Sequence, residues 1–208
     1  MNNNSLLIIG ITGSTGSGKS YLTNNLIKKY SSNLIDKIEV DSYYKNLSHL
    51  TMEKRSKNNF DHPNAFEFEL LIDDLKKIKS GKDIKIPVYD YSKHLRTKKY
   101  RKINSNIKVL LIEGIYALYD KSIVNTLDQK VYIDIAQEKC ISRRIERDIA
   151  SRGRTIESIK KQINTTVIPM FEKFIKPTKD IADLIIKKTA DDDSEFVKLI
   201  SIIDKHIS

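Results

Sequence analysis

The chain has 208 residues, of which 39% are hydrophobic and 31% are charged, and it contains one cysteine, Cys140. This length suffices for one α/β domain over residues 1–208, and the composition excludes a disordered or fibrous chain. One cysteine excludes an internal disulfide, so we expect a reducing, cytoplasmic location. The apolar run Leu6 to Ile9 is too short to span a bilayer, and we expect no membrane partner.

The formal net charge of +10 raises the alternative that the chain binds nucleic acid. The lysines are scattered, no long basic block occurs, and the sequence has no stacking-aromatic motif of an RNA-binding module. We therefore interpret the charge as a basic, solvated surface and predict no nucleic-acid partner.

Short apolar runs alternate with helical patterns along most of the chain. The predicted strands are Leu6–Gly10, Ile38–Val40, Val109–Glu113, Val131–Ile135 and Leu184–Ile186. The predicted helices are Gly18–Tyr30, Phe68–Ser80, Lys121–Leu127, Ala136–Ala150, Ile156–Phe174 (broken or kinked at Pro169) and Glu195–His206. This alternation is typical of a parallel sheet with helices on both faces.

The first strand and the first helix are joined by Gly13-Ser14-Thr15-Gly16-Ser17-Gly18-Lys19-Ser20, which matches the phosphate-binding pattern G-x-x-x-x-G-K-[ST] at every position. The glycines allow backbone N–H groups to face phosphates at a helix N-terminus. We predict that this segment and Tyr21 bind a nucleoside triphosphate, with Lys19 also catalytic and Ser20 on Mg²⁺. The alternative is a glycine-rich turn without a ligand.

Two carboxylates occur where ligands gather in an open parallel sheet, at the carboxyl ends of strands. Asp41 follows Ile38–Val40, and Glu113 ends Val109–Glu113. A buried unpaired acid is costly, so a metal or substrate partner is expected for each. We predict that Asp41 is the base for an acceptor hydroxyl and that Ser20, Glu113 and Asp41 form the metal site. The alternative for each acid is a helix cap or a turn.

Two further segments differ from the strand–helix alternation. Residues 83–104 are rich in Lys, Tyr and Arg, and they predict an inserted β-hairpin that forms one wall of a pocket.

At about 140–165 we predict a lid, because arginines on a mobile turn can neutralise charge during transfer. One helical face carries Ile141, Ile145 and Ile149, another carries Arg144 and Arg147, and the turn is Arg152-Gly153-Arg154. A solvated arginine-rich helix is an equally good interpretation of this pattern.

Longer blocks of sequence carry a family resemblance. They are Gly13 to Ser20, Asp41-Ser42-Tyr43-Tyr44, Asn59 to Phe66, Ile86 to Arg96, Glu113-Gly114-Ile115, Arg143 to Arg154, Phe171-Glu172, Pro177-Thr178-Lys179, Ala182-Asp183 and Ala190-Asp191. In these blocks the chain resembles the uridine–cytidine kinases, relatives of phosphoribulokinase and of bacterial pantothenate kinase. The loop is shared by many families, whereas F-D-H-P and Y-D-Y-S-x-H-x-R are much more specific.

The resemblance implies a role for each matching residue. Asp41 matches the acid that takes the proton from the ribose 5′-hydroxyl, and Ser20 and Glu113 match the magnesium shell. Arg147 and Arg152 match arginines that approach the triphosphate. The implied nucleoside-binding residues are Tyr44, Phe60 and Asp61 around the ribose, Tyr89 and His94 beside the pyrimidine, and Arg144, Arg154 and Gln162 as further contacts. Tyr91 is also predicted to lie beside the base, where it adds a hydroxyl because the family usually has Phe at this position.

The fold and activity that we predict follow from these patterns and the resemblance. The fold is a P-loop NTPase-type, three-layer α/β/α architecture with a five-stranded parallel sheet and an inserted β-hairpin. The resemblance implies Mg²⁺-dependent transfer from ATP or GTP to the 5′-hydroxyl of uridine and cytidine, by a homotetramer. Ile186 to Thr189 replaces a Pro-Arg-Gly turn common in relatives, so the donor stays open. The alternatives are a kinase for another small alcohol, such as a pentose phosphate or pantothenate, and a non-catalytic nucleotide-binding or RNA-binding protein.

Overall fold

A computed structural model describes residues 5–188 and 192–208. The sequence block Ala190-Asp191 and Thr189, the last residue of the segment that replaces the Pro-Arg-Gly turn, lie outside the described residues. A five-stranded parallel sheet in the order β2-β5-β1-β6-β7 forms its centre, and β3 and β4 pair antiparallel in a separate hairpin. The strands are β1 (Leu7–Gly13), β2 (Ile35–Glu39), β3 (Ile84–Asp90), β4 (Leu95–Ile103), β5 (Val109–Glu113), β6 (Gln129–Ile133) and β7 (Leu184–Ile186). The α/β fold, the five-stranded parallel sheet and the inserted hairpin are therefore confirmed.

Helices cover both faces of this sheet. They are α1 (Lys19–Tyr30), α2 (Met52–Ser56), α3 (Phe68–Lys79), α4 (Lys121–Val124), α5 (Gln137–Arg152), α6 (Ile156–Gln162), α7 (Ile168–Met170) and α8 (Ser194–Ile207). Successive residues of β1 belong to opposite cores: Ile8 packs with Leu71 of α3, and Ile9 with Leu22 of α1. Because side chains alternate across a strand, an uninterrupted apolar run supplies both cores. None of the described helices combines the length and apolar composition needed to cross a membrane.

Several predicted strand boundaries are wrong by two or three residues. β1 continues to Gly13, three residues beyond the predicted end, so the strand leads directly into the phosphate-binding loop. β2 starts at Ile35 rather than Ile38, because the half-buried Asp36 and Lys37 of this edge strand find polar partners. Residues Val40–Tyr43 form a 3₁₀ turn, which turns the chain away from the sheet at Asp41.

The predicted helix Ile156–Phe174 is wrong as a single element. The chain forms α6, a π-helical turn at Ile163–Val167, α7 and a second π-helical turn at Phe171–Ile175. Pro169 has no N–H to donate within a helix, which fits a broken α pattern here. The predicted helices Lys121–Leu127 and Ala136–Ala150 are corrected to the bounds of α4 and α5. In α5 the buried positions are Cys140, Arg144 and Asp148, whereas Ile149 of the expected apolar face is 42% exposed.

Candidate active site

The phosphate-binding loop adopts a backbone that requires glycine at two positions. Gly16 has φ 75°, and a Cβ there would collide with the carbonyl oxygen of Cys140. Gly13 has φ 142°, and its Cβ would lie 2.5 Å from the carbonyl oxygen of Ile133. A side chain is excluded by space and by conformation at both positions. The loop therefore packs tightly between β6 and α5 and exposes its backbone to the cavity.

Lys19 lies folded back across this loop. Its Nζ donates to the carbonyl oxygens of Gly13 and Ser14, at 3.0 and 2.9 Å. Burial lowers the pKa of Lys19, while the nearby Glu113 and Asp41 carboxylates act in the opposite direction. The ammonium group has three donors, so bound phosphate oxygens can share or replace these carbonyl partners.

Glu113 and Ser20 provide oxygen atoms at the carboxyl end of β5. Glu113 is 5% exposed, and its Oε1 lies 3.7 Å from the Nζ of Lys37. Burial raises the pKa of Glu113, while Lys19 and a hydrogen bond with Ser20 oppose that rise. Over residues 5–188 and 192–208, no group of three or more His, Cys, Asp or Glu side chains is arranged to hold a metal. The oxygen-only set fits Mg²⁺, which usually uses one or two carboxylates together with phosphate oxygens and water.

Asp41 lies in the 3₁₀ turn after β2 and lines the same cavity as the loop. Its Oδ2 accepts a hydrogen bond of 3.2 Å from the hydroxyl of Tyr91, on the loop between the hairpin strands. Burial raises the pKa of Asp41, while Lys19 and the Tyr91 hydroxyl oppose that rise. A raised pKa makes a carboxylate a stronger base once it is ionised. The cavity has a volume of about 280 Å³, and its lining includes Thr15, Gly16, Gly18, Lys19, Ser20, Tyr21, Asp41, Glu113, Arg143 and Arg147.

An aromatic group of side chains lies on the hairpin side of Asp41. The ring of Tyr44 lies 5.3 Å from that of Phe60 and 4.9 Å from that of Tyr89. His94 stacks on Phe60 at 4.9 Å with an interplanar angle of 13°, and burial lowers its pKa. The hydroxyl of Tyr89 is buried and has no hydrogen-bond partner among the described residues. Flat rings and one unpaired hydroxyl make this group suited to a planar, polar ligand.

Asp61 is a buried carboxylate next to these rings. Its Oδ2 accepts hydrogen bonds from Gln162 Nε2 at 2.9 Å and from Thr166 Oγ1 at 2.8 Å. Its Oδ1 lies 3.5 Å from Arg144 Nη1. Thr166 was not predicted from the sequence, although it lies four residues after Gln162 and such residues share one face of a helix. Asp61 therefore has three polar side-chain partners, two that donate hydrogen bonds and one that forms an ion pair.

A second unpredicted residue, Asp148, lies among the arginines of the expected lid. It has no exposed surface, and it pairs with Arg144, Arg147, Arg152 and Arg154. The guanidinium of Arg152 also lies 4.8 Å from the ring centroid of Tyr91. The arrangement excludes a merely solvated arginine-rich helix. A sequence signal existed, since an acid four residues after Arg144 can reach it along one helical face.

The structure brings the predicted residues together in one region. The phosphate-binding loop and the acids Asp41 and Glu113 line the cavity, and the aromatic rings and Asp61 lie beside it. Tyr21 is 64% exposed and lies among the residues that line the cavity. Arg143 and Glu39 also line the cavity, although the sequence analysis gave them no role. The order of the groups is a phosphate-binding loop, a carboxylate and then an aromatic pocket.

Comparisons with known proteins agree with this arrangement. The model of the phosphoribulokinase / uridine kinase family matches residues 8–195. A uridine kinase of Clostridium novyi (strain NT) is 47% identical over 180 residues, 86% of this chain and 86% of that protein. A uridine kinase of Macrococcus caseolyticus (strain JCSC5402) is 46% identical over 179 residues, again 86% of each. The solved phosphoribulokinase of Rhodobacter spheroides shares the fold, with a TM-score of 0.66 at 17% identity, covering 93% of this chain and 75% of that one. The chain is a kinase and belongs to the phosphoribulokinase / uridine kinase family.

Proposed function

We propose that this kinase transfers the γ-phosphate of ATP or GTP to the 5′-hydroxyl of uridine and cytidine, giving UMP and CMP. The observation that carries the proposal is the position of Asp41. It lines the cavity of the phosphate-binding loop, and through Tyr91 it contacts the aromatic group that ends at Tyr44. The relatives named uridine kinase, at 46–47% identity over 86% of the chain, support uridine as an acceptor.

On the donor side, the loop backbone and Lys19 bind the triphosphate, and Arg147 and Arg152 neutralise charge on the transferring group. Ser20 and Glu113, with Asp41 beside them, would hold Mg²⁺. When bound, the ion would supply positive charge that offsets the negative charge of the phosphate oxygens. Such a transfer asks little covalent chemistry of the protein, so positioning and electrostatics dominate.

On the acceptor side, Asp41 orients the 5′-hydroxyl and accepts its proton. Asp61 binds the ribose hydroxyls, with Arg144, Arg154 and Gln162 around it. Tyr44 and Phe60 line the ribose, and Tyr89, Tyr91 and His94 hold the pyrimidine. A planar base explains the stacked rings better than a pentose phosphate or pantothenate does, and this disfavours the alternative acceptors.

A homotetramer in the cytoplasm completes the proposal. The tetramer is carried over from the resemblance alone, and sedimentation of the purified chain tests it. We propose no nucleic-acid partner, because the basic residues that give the net charge of +10 are scattered and form no continuous block in the sequence.

An acceptor panel tests the proposed function directly. Uridine, cytidine, adenosine and deoxycytidine are each incubated with ATP or GTP and Mg²⁺, and ADP or GDP release is followed. We expect turnover with uridine and cytidine far above that with adenosine. Turnover only with pantothenate or a pentose phosphate, added as further acceptors, would reject the nucleoside assignment.

A further inference from the structure

Asp148 of α5 is enclosed by four arginines, and each of its two carboxylate oxygens contacts two of them. Oδ1 lies on Arg147, which donates from Nε at 2.9 Å and from Nη2 at 2.8 Å, and 3.4 Å from Arg152 Nη1. Oδ2 lies 3.6 Å from Arg144 Nε and 3.6 Å from Arg154 Nη1. One partner would neutralise a buried carboxylate, so four arginines require another explanation.

The arginines on Oδ1 belong to the phosphate side of the site, and those on Oδ2 belong to the side that carries Asp61. Arg147 lines the phosphate cavity, and Arg152 stacks on Tyr91, whose hydroxyl bonds to Asp41. On the other oxygen, Arg144 faces Asp61, and Arg154 donates to Gln162, which itself donates to Asp61. One carboxylate therefore contacts the arginines of the donor side through Oδ1 and those of the acceptor side through Oδ2.

The main chain of Asp148 also holds the turn that carries the last two arginines. Its carbonyl oxygen accepts from the N–H of Gly153, the left-handed cap at φ 61°, and from the N–H of Arg154 at 3.2 Å. Within the described residues, Asp148 Oδ2 and Arg144 Nε are buried without a hydrogen-bond partner. The contacts of Oδ2 with Arg144 and Arg154 are therefore ion pairs without a hydrogen bond, and they are longer than those of Oδ1 with Arg147 and Arg152. These longer contacts can shorten when a ligand binds.

We infer that Asp148 is a positioning residue for phosphoryl transfer. It holds Arg147 and Arg152 on the phosphate side of the site and links them to Asp61, the carboxylate proposed to bind the nucleoside. The identity of the acceptor in this inference rests on the proposed function. Four arginines against Asp148 and Asp61 leave an excess of positive charge beside the cavity, as a polyphosphate requires. Asp148 has no exposed surface and does not line the cavity, so it acts through Arg147 and Arg152.

A double-mutant cycle between Asp148→Asn and Arg147→Ala tests the inference. We expect Arg147→Ala to lower kcat about 100-fold or more, and Asp148→Asn to lower it at least about tenfold. The double variant should be within about threefold of Arg147→Ala, because residues that act as a unit are not additive. Losses that simply multiply would show that Asp148 only stabilises α5, and the inference would be withdrawn.

Asp74→Asn is the matched control. Asp74 of α3 is also a buried carboxylate, which accepts from Tyr43 Oη and from Lys77 Nζ, both at 3.0 Å. We expect this variant to keep kcat near the wild-type value, and its combination with Arg147→Ala to be multiplicative. If Asp148→Asn does not fold, as judged by thermal unfolding, the cycle is built on Asp148→Glu, which keeps the charge but displaces it by one methylene.

The two proposals fail in different ways. If the wild-type chain makes no UMP, the proposed acceptor is wrong, and the same cycle is then measured on the affinity for Mg²⁺-ATP by calorimetry, which needs no acceptor. Non-additive affinities in that measurement would still support Asp148 as the residue that holds Arg147. Additive affinities would overturn that role whatever the acceptor is.

Discussion

The donor and acceptor sides of the site are built in different ways. The main element of the donor side is the phosphate-binding loop, eight consecutive residues from Gly13 to Ser20, part of which lines the cavity together with the side chain of Lys19. The acceptor side consists of side chains from distant segments, such as Asp61 and Gln162, which are 101 residues apart. The first depends on local backbone geometry, whereas the second exists only when the whole chain has folded. Variants of the two sides should therefore change different kinetic constants.

Asp41, which lies between the two sides, should give the largest effect. Asp41→Asn removes the proton acceptor but keeps the size of the side chain. We expect kcat with uridine to fall by about 10²–10⁴-fold, while affinity for ATP stays close to the wild-type value. Stopped assays for UMP and calorimetry with ATP measure the two quantities. Near-normal kcat would remove Asp41 from its role.

Lys19→Ala should affect the donor side alone. Loss of the ammonium group that now bonds to Gly13 and Ser14 removes charge beside the outer phosphates. We expect kcat to fall by about 10²–10³-fold and the KM for ATP to rise, with the KM for uridine little changed. An equal rise in both KM values would contradict the separation of the two sides.

Asp61→Ala is the corresponding change on the acceptor side. The KM for uridine should rise far more than that for ATP, because Asp61 contacts the acceptor-side groups Gln162, Thr166 and Arg144. In the wild type, cytidine should be preferred to deoxycytidine by about 1.5–3 kcal/mol, the contribution of a hydrogen bond between the 2′-hydroxyl and a charged carboxylate. That preference should disappear in the variant. A preference that persists would place another residue on the 2′-hydroxyl.

Tyr91→Phe should give the smallest effect and sharpen the comparison at the boundary between the sides. It removes the 3.2 Å hydrogen bond to Asp41 but keeps the ring under Arg152. Tyr91 is 38% exposed, so water can partly replace the hydroxyl, and we expect kcat to fall about tenfold or less. Thermal unfolding should be unchanged. A loss as large as that of Asp41→Asn would mean that Tyr91 itself takes part in proton transfer.

The same contrast explains what the sequence could predict. The loop motif, the alternation of strands and helices and the hairpin at Ile84–Ile103 are local signals, and the fold derived from them is confirmed. Asp148 and Thr166 were missed, because their contacts depend on how distant parts of the chain pack against α5 and the π-helical turn. Periodicity also placed Ile149 on one helical face with Ile141 and Ile145, but Ile149 is 42% exposed and the buried side of α5 carries the charged pair Arg144 and Asp148. The roles assigned to the site residues remain predictions.

The most direct test of the account follows a labelled phosphate from donor to acceptor. Purified chain is incubated with Mg²⁺, uridine and ATP labelled in the γ-phosphate, and the nucleotide products are separated and assigned by NMR. The account predicts that the label appears in UMP on the 5′-oxygen of wild-type reactions and is nearly absent with Asp41→Asn. Label found only as inorganic phosphate, or transferred equally well by Asp41→Asn, would contradict the delivery of a sugar alcohol to this aspartate.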